Sequence, residues 1–339
     1  MKTYKIACIP GDGIGKEVIP AGELVLQALA NKSKSFQFDF SHFGWGGDWY
    51  RQHGEMMPAD GLDALRNMDA ILFASAGDPD IPDHITLWGL RLKICQGFDQ
   101  YANVRPTRIL PGIDAPLKRC KPEDLNWVIV RENSEGEYAG VGGRAHQGHP
   151  IEVATDVSIM TRAGVERILR YAFKLAQSRP RKQLTVVTKS NAQRHAMVMW
   201  DEIAVQVARE FPDVTWDKEL VDAATARMVN RPRSLDTIVA SNLHADILSD
   251  LAAGLAQLPG FHPLREERDP RSGWRLNELR FAPQAVRSEL LARRAKKVIA
   301  VDNSEKIVAF GAAKAKKNGA VMPATDTPMA SHPTNVERP

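Results

Sequence analysis

Short apolar runs alternate with segments of helical periodicity along most of the chain. Five of these runs predict buried strands, at residues 6–9, 70–74, 127–130, 184–187 and 237–240. Each run ends where polar or small residues begin, which is typical of short strands joined by helices in a parallel sheet. The pattern therefore predicts an α/β protein with an open, largely parallel sheet covered by helices.

Helical spacing predicts two helices with defined inward faces. The first covers residues 17–30, and its inward positions are Val18, Ala21, Val25 and Leu29. The second runs from Thr161, a residue suited to an N-cap, to Gln177 and ends before Pro180. Its inward positions are Val165, Ile168, Leu169, Ala172 and Phe173.

The composition changes after Ala256. Prolines occur among closely spaced charges, one helix-like stretch covers residues 284–297, and residues 320–339 are rich in Pro, Thr and Ser. Residues 257–339 carry 15 Lys and Arg against 9 Asp and Glu, so the net charge of +4 comes from this tail. We expect the ending to be disordered. Because no aromatic or DNA-reading motif accompanies the charges, nucleic acid is not an expected partner.

The whole chain has the composition of a globular protein. Its 339 residues are 43% hydrophobic and long enough for two domains. No stretch approaches the ~18 apolar residues of a membrane helix, and the first residues lack a signal-peptide pattern. The cysteines, Cys8, Cys95 and Cys120, are odd in number and widely spaced, so disulfides and zinc knuckles are not indicated. We expect a cytoplasmic protein with free thiols.

A glycine-rich turn, Gly11-Asp12-Gly13-Ile14-Gly15, follows the first predicted strand and precedes a helix. Its backbone N–H groups would face an anion bound at the helix N-terminus. A dinucleotide-binding fingerprint would need a third glycine where the chain has Lys16. A simple tight turn and a phosphate-binding loop are therefore equally compatible with this sequence.

Asp246 and Asp250 are four residues apart on a predicted helix, with Ile247, Leu248 and Leu251 expected to pack inward. This spacing sets both carboxylates on one face, where two like charges repel unless a cation lies between them. Carboxylate oxygens suit Mg²⁺ or Mn²⁺. By spacing alone, however, a solvated acidic face is the more common explanation.

Two arginines and one lysine also lie at the ends of extended runs. Guanidinium groups bind carboxylates in a bidentate fashion, which makes Arg105 and Arg131 candidates for anion binding. Structural ion pairs with nearby acids explain them equally well. Lys189 is a candidate for a lysine with a depressed pKa, although most lysines are simply solvated.

Taken together and in their order, these motifs resemble the β-decarboxylating dehydrogenases, the family of isopropylmalate and isocitrate dehydrogenases, and most closely its tartrate/D-malate dehydrogenase branch. The combination is far more specific than any single motif, and it covers about the first 256 residues. The matching stretches are Ile9-Pro10-Gly11-Asp12-Gly13-Ile14-Gly15, residues 82–89, Asn103-Val104-Arg105-Pro106, residues 130–138, Thr188-Lys189-Ser190-Asn191, Ser241-Asn242-Leu243 and residues 246–250.

The resemblance implies an NAD-dependent enzyme that oxidises and decarboxylates a small 2-hydroxy diacid such as tartrate or D-malate. Mg²⁺ or Mn²⁺ would be bound by Asp246 and Asp250 of one subunit together with Asp222 of the partner subunit. Asp222 would also take part in catalysis. The active enzyme would accordingly be a homodimer with shared active sites.

The resemblance also assigns roles to the other polar residues. Arg105 and Arg131 would hold the substrate carboxylate, while Tyr138 and the partner's Lys189 would move protons. Ala74, Ala76 and Gly77 would contact NAD.

The fold implied is a two-domain, isopropylmalate-dehydrogenase-like fold with the active site in the cleft. The first, cofactor-side domain would comprise residues 1–102 plus 254–339, with an atypical and partly disordered C-terminal part. The second domain, 103–253, would carry the dimer interface and most substrate and metal residues.

The chain departs from the family pattern in the substrate region. Ten residues before Arg105, where the family has a carboxylate-binding arginine, this chain has Cys95. Arg91 lies one helical turn earlier and could deliver a guanidinium to nearly the same place. Trp88 and Arg91 replace small apolar residues of isopropylmalate enzymes, which favours a small polar substituent on the substrate.

A second departure concerns the cofactor. The family continues with stretches containing His-Gly-Ser-Ala and Ala-Asn-Pro around the nucleotide, and residues 257–339 contain neither. The abrupt change resembles a shifted reading frame or a foreign tail. A catalytically silent homologue that keeps the fold and dimer surface is therefore the alternative to an active dehydrogenase.

Overall fold

The apolar runs form the predicted sheet. The computed structural model describes residues 1–110, 113, 115–118, 120–257, 263–267 and 277–281, the last two segments by their backbone alone. The strands are β1 (Lys2–Gly11), β2 (Phe36–His42), β3 (Ala70–Ser75), β4 (Ala102–Arg108), β5 (Asn126–Glu132), β6 (Gly136–Ala145), β7 (Val153–Ile159), β8 (Gln183–Thr188), β9 (Thr215–Leu220), β10 (Thr237–Ala240), β11 (Pro263–Glu267) and β12 (Asn277–Phe281).

Helices connect most of these strands. The α-helices are α1 (Gly15–Ser33), α2 (Gly47–His53), α3 (Gly61–Leu65), α4 (Asp83–Thr86), α5 (Lys93–Gly97), α6 (Arg162–Ser178), α7 (Ala196–Ala208), α8 (Val221–Asn230) and α9 (Asn242–Leu255). A π-helical segment, Leu87–Leu92, joins α4 to α5, and short 3-10 turns lie at Pro122–Asp124 and Pro232–Ser234.

Ten strands form one sheet in the order β2-β1-β3-β12-β11-β4-β5-β10-β8-β9. At the centre of the sheet, three successive pairs are antiparallel: β12 with β11, β11 with β4, and β4 with β5. The strand pairs on both sides of this centre are parallel. Neighbouring parallel strands need crossover connections, and the helices in these connections cover both faces of the sheet. The strands β6 and β7 form a separate antiparallel hairpin.

Four clusters of buried side chains fill the two faces. Around β5, β10 and β8, helices α6 and α7 cover one face and α8 and α9 the other. Around β1 and β3, helix α1 covers one face and residues of α3 and α5 the other. Burial on both faces explains why the central strands are continuously apolar instead of alternating.

The structure confirms all five predicted strands and the helix after Thr161. The Thr161 hydroxyl accepts a hydrogen bond from the Gly164 N–H, and the helix ends at Ser178, before Pro180. All five of its predicted inward side chains are fully buried.

The predicted inward face of α1 is wrong in its second half, whereas Val18 and Ala21 in its first half are half-buried. Val25 and Leu29 are exposed, at 45% and 51%, and the buried stripe instead contains Ile19 and Ala30, with Leu26 packed against the core. The pattern was ambiguous because apolar residues occur all around this helix. A smaller error concerns α9, where Leu248 is buried but Ile247 is 53% exposed.

Met1–Pro283 form one compact unit, and a second unit, Gln284–Pro339, lies outside the described residues. The stretch 284–297 and the ending predicted to be disordered fall in that second unit. The division into 1–102 plus 254–339 and 103–253 stays a prediction. Within the described parts of the chain, no helix is both long and apolar enough to cross a membrane.

Candidate active site

Polar residues gather where four neighbouring parallel strands end. Arg131 lies near the end of β5, Asp246 is on α9 just after β10, Lys189 directly follows β8, and Asp222 begins α8 after β9. Because β5, β10, β8 and β9 are adjacent and parallel, their carboxyl ends share one edge of the sheet. This edge is where open α/β sheets bind ligands.

Asp246 is at the centre of the main cluster. Its Oδ1 accepts a hydrogen bond from the Arg131 guanidinium and lies 3.2 Å from Arg105 Nη1. Its Oδ2 accepts from the Tyr138 hydroxyl at 3.2 Å. The Arg131 guanidinium also stacks over the Tyr138 ring, 5.1 Å from its centroid. The structure thus brings four of the predicted site residues into direct contact.

Neutral side chains orient the two arginines. Asn242 Oδ1 accepts from Arg131 Nε at 2.7 Å, while Asn103 Oδ1 accepts from Arg105 Nε at 3.0 Å. Arg105 Nη1 donates to Ser249 Oγ at 2.5 Å. These three residues were not predicted as site residues. They lie within or beside the quoted motifs, but sequence spacing does not show which amide or hydroxyl faces a guanidinium.

Arg91 joins this cluster from the π-helical segment, where it is buried. Its Nη2 donates to Asn133 Oδ1 at 3.3 Å, and Asn133 is fixed by donating to the Gln100 carbonyl at 2.8 Å. Cys95, which follows Arg91 by four residues, is buried as well. The guanidinium therefore reaches the region of Asp246, close enough to affect the ionisation of its carboxyl.

The cluster contains more positive than negative charge. Burial, followed by the neighbouring Arg131, lowers the pKa of Arg105 to about 9, although Asp246 acts in the opposite direction. Burial alone would raise the pKa of Asp246, but Arg131, Arg105 and Arg91 bring it below its ordinary value. Three buried guanidinium groups thus surround the half-buried Asp246 carboxylate, and the exposed Asp250 carboxylate is near enough to act on Arg105. Three positive charges beside these two negative ones favour binding of a further anion.

Tyr138 is protonated at neutral pH. Burial and the adjacent Asp246 carboxylate both raise the pKa of its phenol. A protonated phenol that donates to a carboxylate in the site can donate to a substrate oxygen in place of that carboxylate.

Lys189 and Asp222 form a second pair at the same edge of the sheet. Lys189 Nζ lies 2.6 Å from Asp222 Oδ1, and this hydrogen bond lowers the pKa of Asp222. Both side chains are accessible, since they are 28% and 64% exposed. They pair with each other within one subunit, and their predicted action on the partner's site stays a prediction.

Asp246 and Asp250 fit a divalent cation by their donor chemistry. They are one turn apart on α9, where Asp246 is half-buried and Asp250 is exposed. Two carboxylates on one helix face, open to solvent on one side, offer the hard oxygen ligands that Mg²⁺ and Mn²⁺ prefer. The chain thus supplies two carboxylates that would hold such an ion.

Hydrogen bonds to Asp12 hold the glycine-rich turn against the neighbouring loops. The Asp12 carboxylate is buried and accepts hydrogen bonds from the N–H groups of Gly47 and Gly77. Gly11 has a φ of +64°, and a Cβ there would lie 1.8 Å from the Ser75 carbonyl oxygen, so only glycine fits. The Gly15 N–H donates to the Asp12 carbonyl, as in a tight turn, and the phosphate-binding alternative stays untested.

The predicted cofactor residues lie at the end of β3. Ala74 is buried in the strand, whereas Ala76 and Gly77 follow it in the loop. The Gly77 N–H is taken by Asp12 at 2.9 Å. Their contact with NAD stays a prediction.

The sequence matches a known family of enzymes. Residues 5–263 match the family model of isocitrate/isopropylmalate dehydrogenase. The chain belongs to this family. The resemblance noted over the first 256 residues is therefore confirmed.

Similar proteins within this family indicate which of its branches the chain resembles. The chain is 70% identical over 263 residues to a "probable tartrate dehydrogenase/decarboxylase" from Agrobacterium vitis, an alignment that covers 78% of this chain and 74% of that relative. It is 49% identical over 265 residues to the decarboxylating D-malate dehydrogenase of Escherichia coli K12, covering 78% and 73%. It is thus similar to decarboxylating 2-hydroxy-acid dehydrogenases.

A solved structure shows the same fold. The isocitrate dehydrogenase of Methylococcus capsulatus superposes with a TM-score of 0.70 at 33% identity, over 81% of this chain and 77% of that one. The isocitrate-dehydrogenase-like α/β fold predicted from the sequence is therefore confirmed.

Proposed function

We propose that this chain catalyses NAD-dependent oxidation and decarboxylation of a small 2-hydroxy diacid, tartrate or D-malate, with Mn²⁺ or Mg²⁺. One observation carries the proposal: the buried guanidinium groups of Arg91, Arg105 and Arg131 converge around the Asp246 carboxylate. The excess positive charge is matched by a dicarboxylate substrate. The names of the relatives support the same substrate class.

Different residues would bind the substrate and the metal. Arg105, Arg131 and Arg91 bind and orient the substrate carboxylates. The metal, held by Asp246, Asp250 and Asp222 of the partner subunit, would polarise the substrate's C2 oxygen and stabilise negative charge on it. Together these groups place the C2–H bond for hydride transfer.

Two residues handle protons. The partner's Lys189 would take the proton of the C2 hydroxyl as the hydride leaves for NAD⁺. Tyr138, whose phenol is protonated at neutral pH, is suited to donate a proton after loss of the β-carboxylate as CO₂.

Homodimerisation is part of the proposal, because the predicted site takes residues from both subunits. The β6–β7 hairpin supports it. Its apolar side chains are exposed in the isolated subunit, among them Val141, Val153, Val157 and Ile159. Exposed apolar residues that cluster on one element commonly mark an interface. We also propose a cytoplasmic location, in keeping with three free cysteines.

The test is a comparison of substrates. With Mn²⁺ and NAD⁺, we expect NADH to form from D-malate or tartrate and not from 3-isopropylmalate, because Arg91 and Trp88 leave a polar environment at the recognition segment. A preference for isopropylmalate would contradict the proposed substrate class.

A second candidate is a silent homologue that binds substrate or metal without turnover. It is favoured by the lack of His-Gly-Ser-Ala and Ala-Asn-Pro in residues 257–339. Bound Mn²⁺ and D-malate with no NADH formed from any of these acids would support this candidate against the first.

A further inference from the structure

Three metal-ligating side chains meet at the edge of the sheet, and none of them takes part in the candidate active site. They are Cys8 on β1, Glu23 on α1 and His42 at the end of β2. Their ligand atoms, Cys8 Sγ, a Glu23 carboxylate oxygen and a His42 ring nitrogen, all lie within 4.8 Å of one another. We call these three residues the edge cluster.

Strand register and helix packing together create this cluster. Cys8 and His42 are directly paired between the parallel strands β1 and β2, so their side chains stand on the same face of the sheet. Helix α1 covers that face with the stripe that contains Ile19, Leu26 and Ala30. Glu23 follows Ile19 by four residues and precedes Leu26 by three, which puts a carboxylate in an otherwise apolar stripe.

A carboxylate at such a position needs partners. Glu23 has a side chain only 20% exposed, and its Oε1 lies 2.7 Å from His42 Nε2. The Cys8 thiol is fully buried, and its Sγ lies within 4.8 Å of a carboxylate oxygen of Glu23. One acidic group therefore lies beside both other ligand groups.

We propose that the edge cluster is a binding site for a divalent cation of the zinc class, bound by the Cys8 thiolate, the Glu23 carboxylate and the His42 imidazole. Sulfur, nitrogen and oxygen are all ligands of Zn²⁺, with bonds of about 2.3 Å to sulfur and about 2.0–2.2 Å to nitrogen or oxygen. Such bonds keep ligand atoms about 3–4 Å apart, so small side-chain movements suffice. Mg²⁺ and Ca²⁺, which prefer oxygen ligands only, do not suit this set.

The charges balance when the ion is bound. Binding replaces the thiol proton, which is released to solvent, and the His42 nitrogen donates its lone pair as a neutral imidazole. The thiolate and the carboxylate then neutralise the two positive charges of the ion. A neutral complex is what a mostly buried position tolerates best.

The solvent access of the edge cluster and its number of ligands also suit a zinc ion. The His42 side chain is 59% exposed, which gives the ion a route from solvent and leaves the ring free to adjust. Three protein ligands leave a fourth tetrahedral position for water. The bound ion would tie α1 to β1 and β2, so its expected role is to stabilise this edge of the fold.

The test uses Co²⁺ as a spectroscopic probe of the intact protein. Co²⁺ bound through a thiolate gives a sulfur-to-metal charge-transfer band in the near ultraviolet, whereas Co²⁺ on the carboxylates of Asp246 and Asp250 does not. We expect this band in the wild-type protein, and we expect Zn²⁺ to displace it. Cys95→Ser and Cys120→Ser, which remove the other thiols, should retain it.

Variants of the edge cluster make the test specific. Cys8→Ser should abolish the band, and Glu23→Gln should weaken Co²⁺ binding more than about tenfold, since loss of even an outer-shell partner costs that much. Because Cys8 is buried and its replacement could unfold the protein, His42→Gln at the exposed corner provides a second variant with the same expected tenfold loss. A wild-type protein without the band at saturating Co²⁺, or equal affinity in wild type, Glu23→Gln and His42→Gln, would overturn the proposal.

Discussion

The Asp246 carboxylate lies among three buried guanidinium groups. It contacts Arg131 and Arg105 directly, and with Arg91 these arginines lower the pKa of its carboxyl. Removing one member of a buried ion pair leaves an uncompensated charge, which costs far more than the pair gains over apolar replacements. The stability of the apoprotein should therefore depend on this single side chain.

We predict that Asp246→Asn lowers the free energy of unfolding by about 3 kcal/mol at neutral pH. Because the folded pKa of Asp246 lies below its unfolded value, its contribution is fully present above the ordinary aspartate pKa and is lost as the pH falls through the folded pKa. Denaturant titrations from neutral to acidic pH should show the difference between wild type and variant shrinking.

Asp63→Asn serves as the control, because Asp63 forms an exposed ion pair with Arg66. Its effect should stay within about 0.5 kcal/mol. A difference for Asp246→Asn that does not vary with pH would show that lost packing, and not charge, causes the destabilisation.

Arg91 is predicted to replace the family arginine whose position is occupied by Cys95. If it binds a substrate carboxylate, Arg91→Ala removes a charge-assisted hydrogen bond of about 1.5–3 kcal/mol. We expect the apparent KM for the hydroxy acid to rise roughly 10-fold to 100-fold. Steady-state kinetics measure this, with Arg66→Ala as the control at an exposed ion pair. An unchanged KM would exclude Arg91 from substrate binding.

At the residue scale, the sequence identified the charged residues of the candidate site but not the neutral side chains that bind them. Arg105, Arg131, Tyr138 and Asp246 were all named, and they meet as a group. Asn242 was not predicted as a site residue, because an amide side chain at the start of a helix is equally typical of a helix cap and of a surface residue. Its role depends on an arginine 111 positions away, and such long-range pairing has no local sequence signal.

Helix α6 is the element whose start is most clearly determined by one side chain. The Thr161 hydroxyl accepts from the Gly164 N–H at 3.0 Å and also donates to Glu135 Oε1. We predict that Thr161→Ala lowers the free energy of unfolding by about 1 kcal/mol, because an N–H group of the first turn loses its partner. Thr161→Ser keeps the hydroxyl and should lose much less. Equal losses in the two variants, measured by denaturant titration, would contradict the capping role.

At the element scale, prediction succeeded where periodicity was unambiguous. Helix α6 has apolar residues on one face only, and all of its predicted inward positions are buried. Helix α1 offers two apolar stripes, and Val25 and Leu29 belong to the one that faces outward. Only the pairing of β1 with β2 and β3 decides which stripe packs against the sheet, and this information is not local.

At the scale of the whole molecule, the β6–β7 hairpin provides a test of dimerisation. Val141 and Val157 face each other across the hairpin, and each is 46% exposed. Replacing both with Lys would bury two unpaired charges in the proposed interface. We predict a rise of at least about 100-fold in the dimer dissociation constant, corresponding to about 2.7 kcal/mol.

Sedimentation velocity would show the expected shift to monomer. Val25→Lys, at a valine of equal exposure on α1, is the matched control and should leave the assembly unchanged. If the double variant sediments like the wild type, the hairpin is not the interface.

The overall architecture was largely predictable from the sequence, because continuous apolar strands and intervening helices have few compact arrangements. The antiparallel centre of the sheet was not predicted. It depends on β4, which contains Pro106 and two arginines and does not read as a buried strand. The backbone of β11 and β12 adds two further strands from the atypical region after Ala256, where no strand was expected.

The central claim is that the arginine cluster and Asp246 hold a 2-hydroxy diacid and a divalent metal for oxidation and decarboxylation. Its most direct test is the simultaneous measurement of bound Mn²⁺, NADH and CO₂ with D-malate and NAD⁺. We predict that wild type binds Mn²⁺ and forms NADH and CO₂ in equal amounts, and that a chelator or Asp246→Asn abolishes both products. Mn²⁺ and D-malate bound in full, with neither NADH nor CO₂ formed, would contradict the account.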